Sequence, residues 1–267
     1  MTCIRFLYIM LLAYEKEVNM SSYDPASQKI PHEGLLNSRE LGGMPCSEGT
    51  FPTGLFIRSG SPCFFSGDAV SYLKSIGVRT VIDLRAEPEI IRDGNPFMDD
   101  PSVKFYNIPL FVGDPSADTD PTMEFLRTHH LGDFYVIMLN ELGDRIVKIL
   151  NILRTHTDGY CLFHCAHGKD RTGVIAAILY LLAGAGREDI VLNYKVSYDY
   201  AKSFLDPLIE KKSDDMKHTL RSDAINMEIL LDYLEENYDM DIAIYLTSNG
   251  MTDEEISGLR NRILSQQ

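Results

Sequence analysis

A chain of 267 residues, 45% of them hydrophobic, has enough apolar material for one large core, and α/β chains of this length are commonly single domains. Its 25 basic and 39 acidic residues give a formal net charge of −14. This balance argues against nucleic acid and anionic membranes as nonspecific partners, because binding to both depends on an excess of lysine and arginine.

The N-terminal 33 residues are predicted to be an extension and an arm that leads into the domain. The apolar segment 6–14 is too short to span a bilayer and no small-x-small cleavage site appears, so neither membrane insertion nor secretion is expected. Met20 is an alternative start, which makes residues 1–19 an extension. Residues 21–33 are polar and contain two prolines, as linkers do. A single domain is predicted over 34–267.

Strands and helices alternate through the first half of this domain. The pattern predicts a strand over 54–59, a helix over 69–76 and a buried parallel strand over 80–84. The last strand carries Asp83 and Arg85 to its carboxyl end, where open α/β sheets place their sites. An ion pair that ties the strand to the next loop explains these two residues equally well.

The middle of the chain is predicted to be less regular. After a strand over 103–110, the segment 112–122 contains no core residues and is predicted to be a mobile loop. A helical pattern begins near Met123, is broken near Gly132 and resumes over 134–153.

Helices dominate the rest of the chain. A strand over 160–163 and a buried helix over 174–183 are followed by predicted helices over 188–204 and 223–236, and a last one over 252–264 that opens with a capping box. The order predicts an α/β fold, a short and largely parallel sheet flanked by helices, with a helical C-terminal part.

Cysteine usage indicates a reducing environment. The five cysteines are odd in number and include no Cys-x-x-Cys pair, so neither a disulfide framework nor a zinc site is expected. His-Cys-x-His at 164–167 lacks the usual spacing of metal ligands. We therefore expect a cytoplasmic protein without a metal or a cofactor.

The loop between the strand at 160–163 and the following helix carries the chemistry. Residues 164–173 are His-Cys-Ala-His-Gly-Lys-Asp-Arg-Thr-Gly. Cys165 stands just before a helix N-terminus with Lys169 and Arg171 nearby, and these surroundings favour the nucleophilic thiolate. A buried, inert cysteine is the alternative, but five polar or glycine residues do not usually follow so closely after one.

The same loop can hold a phosphoryl dianion. Successive backbone N–H groups from residue 166 to 171 can surround an oxyanion if the loop curls, which Gly168 and Gly173 would allow. Arg171 supplies a planar fork for two phosphate oxygens, and Lys169 adds a point charge. Phosphate binding is therefore assigned to Ala166, His167, Gly168, Lys169 and Arg171.

A nucleotide-binding P-loop is excluded by its spacing. That motif requires Gly-x-x-x-x-Gly-Lys-Ser/Thr. In this chain Phe163 occupies the first glycine position, and Asp170 follows Gly168-Lys169 where serine or threonine is required.

Attack by a thiolate on phosphorus forms a cysteinyl-phosphate, and its formation and hydrolysis need an acid and then a base. Asp170, the only carboxylate of the loop, is assigned this role, with capping of the helix as the alternative. His164 is expected to hydrogen-bond the loop backbone, and Thr172 to donate its hydroxyl group to the sulfur. Four aspartates stand in reserve as the acid: Asp83, Asp114, Asp118 and Asp120.

The pattern His-Cys-x-x-Gly-x-x-Arg is the signature of the cysteine-dependent protein tyrosine phosphatases. Its form here resembles the branch of tyrosine and lipid phosphatases typified by mycobacterial tyrosine phosphatase B and its listerial relative. Residues 37–43, Asn-Ser-Arg-Glu-Leu-Gly-Gly, are similar to that branch's Asn-x-Arg-Asp-Leu-Gly-Gly, with glutamate replacing aspartate. Residues 58–60, 81–85 and 250–264 are similar to its further blocks, so the resemblance covers roughly residues 34–265.

The resemblance implies a single phosphatase domain with the cysteine-dependent phosphatase fold. It implies Cys165 as the nucleophile, Arg171 as the phosphoryl clamp and Asp170 as the acid and base. The last would replace the mobile Trp-Pro-Asp loop of the larger tyrosine phosphatases, and this chain contains no tryptophan. Where some relatives carry a helical lid, the segment 112–131 is short here.

Three functions follow as hypotheses. The leading one is hydrolysis of phosphotyrosine in proteins, with dual specificity left open. Because the resemblance implies that Lys169 is shared with phosphoinositide phosphatases, a phosphoinositide or inositol-phosphate phosphatase is the alternative. A pseudophosphatase that binds phosphorylated partners without turnover is the third.

Overall fold

A computed structural model describes residues 23–117 and 119–264. The predicted extension over 1–19 and the reserve residue Asp118 lie outside these ranges. The described strands are β1 (Arg39–Glu40), β2 (Pro45–Cys46), β3 (Gly49–Thr50), β4 (Phe56–Ser59), β5 (Val78–Asp83), β6 (Lys104–Asn107) and β7 (Tyr160–His164). The described α-helices are α1 (Gly67–Ser75), α2 (Glu87–Asp93), α3 (Pro121–Phe125), α4 (Leu131–Glu141), α5 (Gly143–Thr155), α6 (Asp170–Leu182), α7 (Arg187–Ile209), α8 (Ala224–Tyr238), α9 (Ile242–Ser248) and α10 (Asp253–Leu264).

The central sheet has five strands in the order β1-β4-β7-β5-β6. Strands β4, β7, β5 and β6 run parallel, and the short edge strand β1 pairs antiparallel with β4. The predicted α/β fold with a largely parallel sheet is thereby confirmed. Strand β7 lies in the middle, so its carboxyl end delivers the 164–173 loop to the centre of the sheet edge.

Helices cover both faces of the sheet. Alternate side chains of the parallel strands point to opposite faces, so Leu162 packs with Leu73 and Phe97 on the side of α1. Phe163 points the other way, into the larger core that contains the buried helix α6. Within the described residues no helix is both long and apolar enough to cross a membrane.

The arm before residue 34 packs against the domain where it is described. Tyr23, Gln28 and Ile30 are buried. Gln28 Nε2 donates to the carbonyls of Leu41 and Gly42, at 3.0 and 2.9 Å. The packed structure therefore includes residues that precede the predicted boundary at residue 34.

The helical pattern is interrupted near Gly132, as predicted, although the glycine itself does not break a helix. It lies inside α4, and the real interruptions are at residues 126–130 and at the junction of α4 with α5. A Cβ on Gly132 would lie 2.6 Å from the carbonyl oxygen of Asn226 in α8. Glycine is needed at this position because it allows two helices to approach each other closely.

Short helices account for most of the other differences between the predicted and the observed elements. Helices α2 and α9, seven residues each, were not predicted because two turns are too few for a clear apolar period. Helix α7 continues through Pro207 to Ile209, beyond its predicted end. Strand β6 is shorter than the predicted 103–110.

Candidate active site

The loop after β7 curls tightly at Gly168. This residue has φ 69°, and a Cβ on it would lie 2.4 Å from the carbonyl group of Ser59. Gly173 plays a different part from the predicted one, because it lies inside α6 and not in the curl. A Cβ there would come within 3.2 Å of the Tyr194 ring, so this glycine makes space for α7.

Donors outside the loop hold its carbonyl groups outward. The Ser61 N–H donates to the carbonyl of Ala166 at 2.9 Å. Asn37 Nδ2 donates to the carbonyls of residues 167 and 168, at 2.9 and 3.0 Å. Peptide N–H groups point opposite to their carbonyls, so this arrangement leaves the loop amides free to face an anion. Asn37 belongs to the segment 37–43, which gives that sequence block a physical role.

Two fully buried arginines support the loop from below. Arg39 donates to Asn37 Oδ1 at 2.6 Å, and Arg58 donates to the carbonyl of Gly168 at 3.0 Å. Asn193 joins the two, since its side-chain oxygen accepts from Arg58 at 2.8 Å and its carbonyl accepts from Arg39 at 2.8 Å. Burial lowers the pKa of Arg39 to about 9. Burial also lowers the pKa of Arg58.

Arg171 is held by a carboxylate that sequence reasoning missed. Its Nη1 and Nη2 atoms donate to the two oxygens of Glu89, at 2.6 and 2.9 Å. Burial alone would lower the pKa of Arg171, but the Glu89 charge outweighs it and raises that pKa, so the guanidinium stays charged. Glu89 also caps α2 by accepting from the Ala86 N–H at 2.8 Å. A Glu-Pro-Glu run directly after a parallel strand was the available signal of this short helix.

Asp170 is the first residue of α6 and receives two donors on one oxygen. Lys169 Nζ donates to Oδ1 at 2.7 Å, and the Tyr135 hydroxyl group donates to the same atom. The lysine ammonium also donates to the Thr219 carbonyl at 3.0 Å. The structure therefore places the predicted phosphate-binding charge of Lys169 against Asp170.

A cleft of about 230 Å³ opens over the loop. Ala166, His167, Asp170 and Arg171 line it together with Glu89. Its remaining wall is largely apolar and includes Phe64, Phe111, Met123, Leu126, Leu131 and Phe134. Part of the segment over 112–131, where some relatives carry a helical lid, thus forms a wall of the cleft.

The model of the tyrosine phosphatase family matches residues 30–265. The chain belongs to this family. It is 26% identical over 237 residues to a Cupriavidus necator protein whose name places it among the tyrosine-protein phosphatases, covering 80% of this chain and 85% of that one. It is 30% identical over 155 residues to a tyrosine-protein phosphatase of Nostoc commune, covering 58% of this chain and 52% of that one.

A solved structure with similarity to this tyrosine phosphatase family member is that of Pseudomonas aeruginosa TpbA in complex with pTyr. It shares 13% sequence identity and has a TM-score of 0.40, and the alignment covers 84% of this chain and 100% of TpbA. A further structure of TpbA shares 14% identity, with a TM-score of 0.36 and coverage of 74% and 93% of the two chains.

Asp83 and Arg85 lie beside the phosphatase loop and not in its cleft. Arg85 Nη2 donates to Asp83 Oδ2 at 2.8 Å, and both side chains are buried. Arg85 also donates to the carbonyl of Gly94 at 2.8 Å, which fixes the end of α2. The pair therefore forms the ion pair that was one of the two sequence interpretations, and it supports the helix that carries Glu89.

His164 contacts the loop backbone. Its Nδ1 lies 3.1 Å from the carbonyl oxygen of Cys165, and its Nε2 lies 3.0 Å from Asn95 Nδ2. Burial lowers the pKa of His164, so the ring is neutral. Because a carbonyl only accepts, Nδ1 carries the proton and Nε2 accepts from Asn95.

The remaining predicted residues are placed differently. Thr172 Oγ1 is buried and has no hydrogen-bond partner among the described residues, so the predicted bond to the sulfur is not made here. Asp120 caps α3 by accepting from the Thr122 N–H at 2.9 Å, and Asp114 accepts from Ser116 at 2.6 Å. Neither reserve aspartate lines the cleft.

Proposed function

We propose that this phosphatase hydrolyses phosphotyrosine in proteins through a cysteinyl-phosphate on Cys165. The observation that carries the proposal is the cleft itself. It combines the anion-binding loop, Arg171 and Asp170 with a wall of apolar side chains. A phosphoryl group fits the loop by charge, and an aromatic ring fits the wall by burial of apolar surface.

In the first step, the loop amides and Arg171 would bind the phosphoryl oxygens. The Cys165 sulfur attacks phosphorus, and the bond from phosphorus to the phenolic oxygen breaks. Asp170 gives its proton to that oxygen, so tyrosine leaves in its neutral form. Glu89 keeps the arginine fork in one orientation, which limits the ordering needed when substrate binds.

In the second step, water attacks the phosphorus of the cysteinyl-phosphate. Asp170, now a carboxylate, accepts the proton of that water, and the bond between sulfur and phosphorus breaks. Inorganic phosphate leaves, and the thiolate is restored. Loop amides whose carbonyls are already held outward do not need to reorganise for either step.

Inositol phosphates are the second candidate substrate. Arg92 and Lys212 line the cleft, and Arg127 and Lys211 line a neighbouring pocket of about 550 Å³ that shares His167 with it. These cations suit a substrate with several phosphates. The apolar wall favours the phenyl ring of phosphotyrosine over a polar inositol ring, so phosphotyrosine is preferred.

The branch typified by mycobacterial tyrosine phosphatase B and its listerial relative is also part of the proposal. It is supported by the acid that lies within the loop at Asp170 and by the position of Asn37 under that loop. The cytoplasmic location expected from cysteine usage stays a prediction.

A substrate panel tests the proposed function. We expect kcat/KM to be highest for a phosphotyrosine peptide, and lower for a phosphothreonine peptide and for soluble inositol phosphates. Cys165→Ser should abolish turnover of all of them, because the hydroxyl group is a far weaker nucleophile than the thiolate. Higher kcat/KM for an inositol phosphate would transfer the assignment to the second candidate, and unchanged turnover in the serine variant would refute the mechanism.

A further inference from the structure

Tyr135 of α4 lies outside the loop and touches the proposed acid. Its side chain is fully buried, and its hydroxyl group donates to Asp170 Oδ1. The Tyr194 hydroxyl group lies 2.7 Å from that of Tyr135, and the two rings meet edge to face at 6.0 Å between centroids. Asn226 Nδ2 lies 3.4 Å from the Tyr194 oxygen. These groups form one continuous chain from α8 to the loop.

The direction of every hydrogen bond in this chain is determined. A carboxylate only accepts, so the single proton of Tyr135 points to Asp170. Tyr194 must then donate to the Tyr135 oxygen. Burial, followed by the charge of Asp170, raises the pKa of both tyrosines well above its ordinary value, so both hydroxyl groups stay protonated. Aligned donors strengthen one another, and the whole chain acts on Oδ1.

The two oxygens of Asp170 are therefore not equivalent. Oδ1 accepts from Tyr135 and from Lys169, whereas Oδ2 has no hydrogen-bond partner among the described residues. A proton on Oδ1 would face two donors and would cost at least one of those bonds. A proton on Oδ2 costs neither of them. Asp170 also lines the cleft, where the phenolic oxygen would have to lie.

We infer that Tyr135, backed by Tyr194, is a positioning residue that holds Oδ1 of Asp170 and so keeps the transferable proton on Oδ2. The inference rests on the proposed function, because it concerns the acid of that reaction. Tyr135 acts through Asp170 and does not touch the substrate. Tyr135 therefore affects the steps in which Asp170 gives or takes a proton.

Aryl phosphates with different leaving groups test the inference. Tyr135→Phe keeps the ring and removes only the hydroxyl group. We expect kcat/KM to fall about tenfold for phenyl phosphate, the size of one hydrogen bond to a charged group, and less than about twofold for p-nitrophenyl phosphate, whose leaving group hardly needs an acid. The inhibition constant of inorganic phosphate should stay unchanged, because the loop and Arg171 are untouched.

The matched control is Tyr245→Phe. Tyr245 is equally buried, and its hydroxyl group donates to the carbonyl of Leu139 at 2.9 Å in the same group of helices. Removal of that group should lower stability in a similar way and leave kcat/KM unchanged for both esters. Tyr194→Phe should show the same selective loss of kcat/KM for phenyl phosphate as Tyr135→Phe, but a smaller one. If the Tyr135→Phe variant does not fold, the Tyr194→Phe variant tests the inference in its place.

A double-mutant cycle separates positioning from general damage. In a background of Asp170→Ala, the Tyr135→Phe change should have no further effect on kcat/KM, because the group that it positions is absent. Additive losses, equal losses for both esters or no loss at all would overturn the inference while the proposed function stands. A wild-type protein without turnover of either ester would overturn the proposed function and the inference with it.

Discussion

Individual residues of the loop have separate roles in the proposed reaction. Cys165 is 2% exposed, and Arg171 and Asp170 face the cleft from the first turn of α6. The proposed acid and the proposed clamp are consecutive residues, so the same helix start places both. Under this proposal, a separate mobile loop is not required to bring an acid to the leaving group. What the loop does require is support for each side chain from elsewhere, by Glu89 for the arginine and by Tyr135 for the aspartate.

Replacement of Asp170 by alanine tests its role. We expect kcat/KM to fall about a hundredfold or more for phenyl phosphate, because general acid catalysis contributes about that much, and far less for esters with good leaving groups. Steady-state kinetics with a series of aryl phosphates measures the difference. An equal loss for good and poor leaving groups would mean that the acid is another residue.

At the scale of elements, short segments position the residues of the site more than long helices do. Helix α2 has only seven residues, yet it carries Glu89, and its end is held by Arg85. Asn37 lies outside any helix or strand, yet it supports two carbonyls of the loop. Such pieces are hard to predict because their conformation is set by distant partners and not by a periodic pattern.

The curl at Gly168 gives a prediction at this scale. Gly168→Ala would force a side chain into a left-handed backbone and within 2.4 Å of the Ser59 carbonyl group. We expect loss of phosphate affinity together with a drop of about 2–4 kcal/mol in the free energy of unfolding, from backbone strain and overpacking. Thermal unfolding and phosphate inhibition measure the two effects. Gly67→Ala is the matched control, since a Cβ at Gly67 meets nothing within 4 Å and φ there is not positive; similar losses in both variants would contradict the explanation.

At the scale of the whole molecule, the pair of Glu89 and Arg171 ties α2 to α6 across the edge of the sheet. Burial would raise the pKa of Glu89, but the charge of Arg171 overcomes it and holds that pKa below its ordinary 4.5. A carboxyl whose pKa is lowered by folding stabilises the protein above its unfolded pKa. That stabilisation is lost as the pH falls through the lower pKa of the folded state. Protonation of Glu89 at acidic pH would therefore weaken both its hold on Arg171 and the stability of the whole protein.

Glu89→Gln tests this link. At pH 7 we expect the variant to lose about 1–3 kcal/mol in the free energy of unfolding, because Arg171 stays buried without its counter-charge. Below pH 4.5 the difference from the wild type should shrink, since the Glu89 carboxyl of the unfolded wild-type chain is protonated there and that of the folded protein follows at lower pH. Thermal unfolding at a series of pH values measures this difference in the free energy of unfolding. A difference that stays constant down to pH 3 would show that the charge of Glu89 is not what matters.

The candidate site illustrates which parts of a structure local sequence encodes. An apolar strand, a polar loop with Cys165 and Arg171, and an apolar helix are consecutive in the chain, so their order alone predicts an anion site with a nucleophile. The predicted role of Gly173 in the curl was wrong, and the packing role of Gly132 was not predicted, for one shared reason. Each glycine allows another helix to approach closely, and the approaching residue lies more than 20 positions away in the chain.

The sequence by itself determined the α/β architecture and the central loop, and it named the residues that are proposed to carry the reaction. These features depend on periodicity and on contacts between near neighbours, which a linear sequence displays. Only the tertiary structure decided which partners hold those residues, namely Asn37 under the loop, Glu89 on Arg171 and Tyr135 on Asp170. Those contacts join segments 35 to 131 positions apart, and such pairs form only when packing of the core brings their elements together.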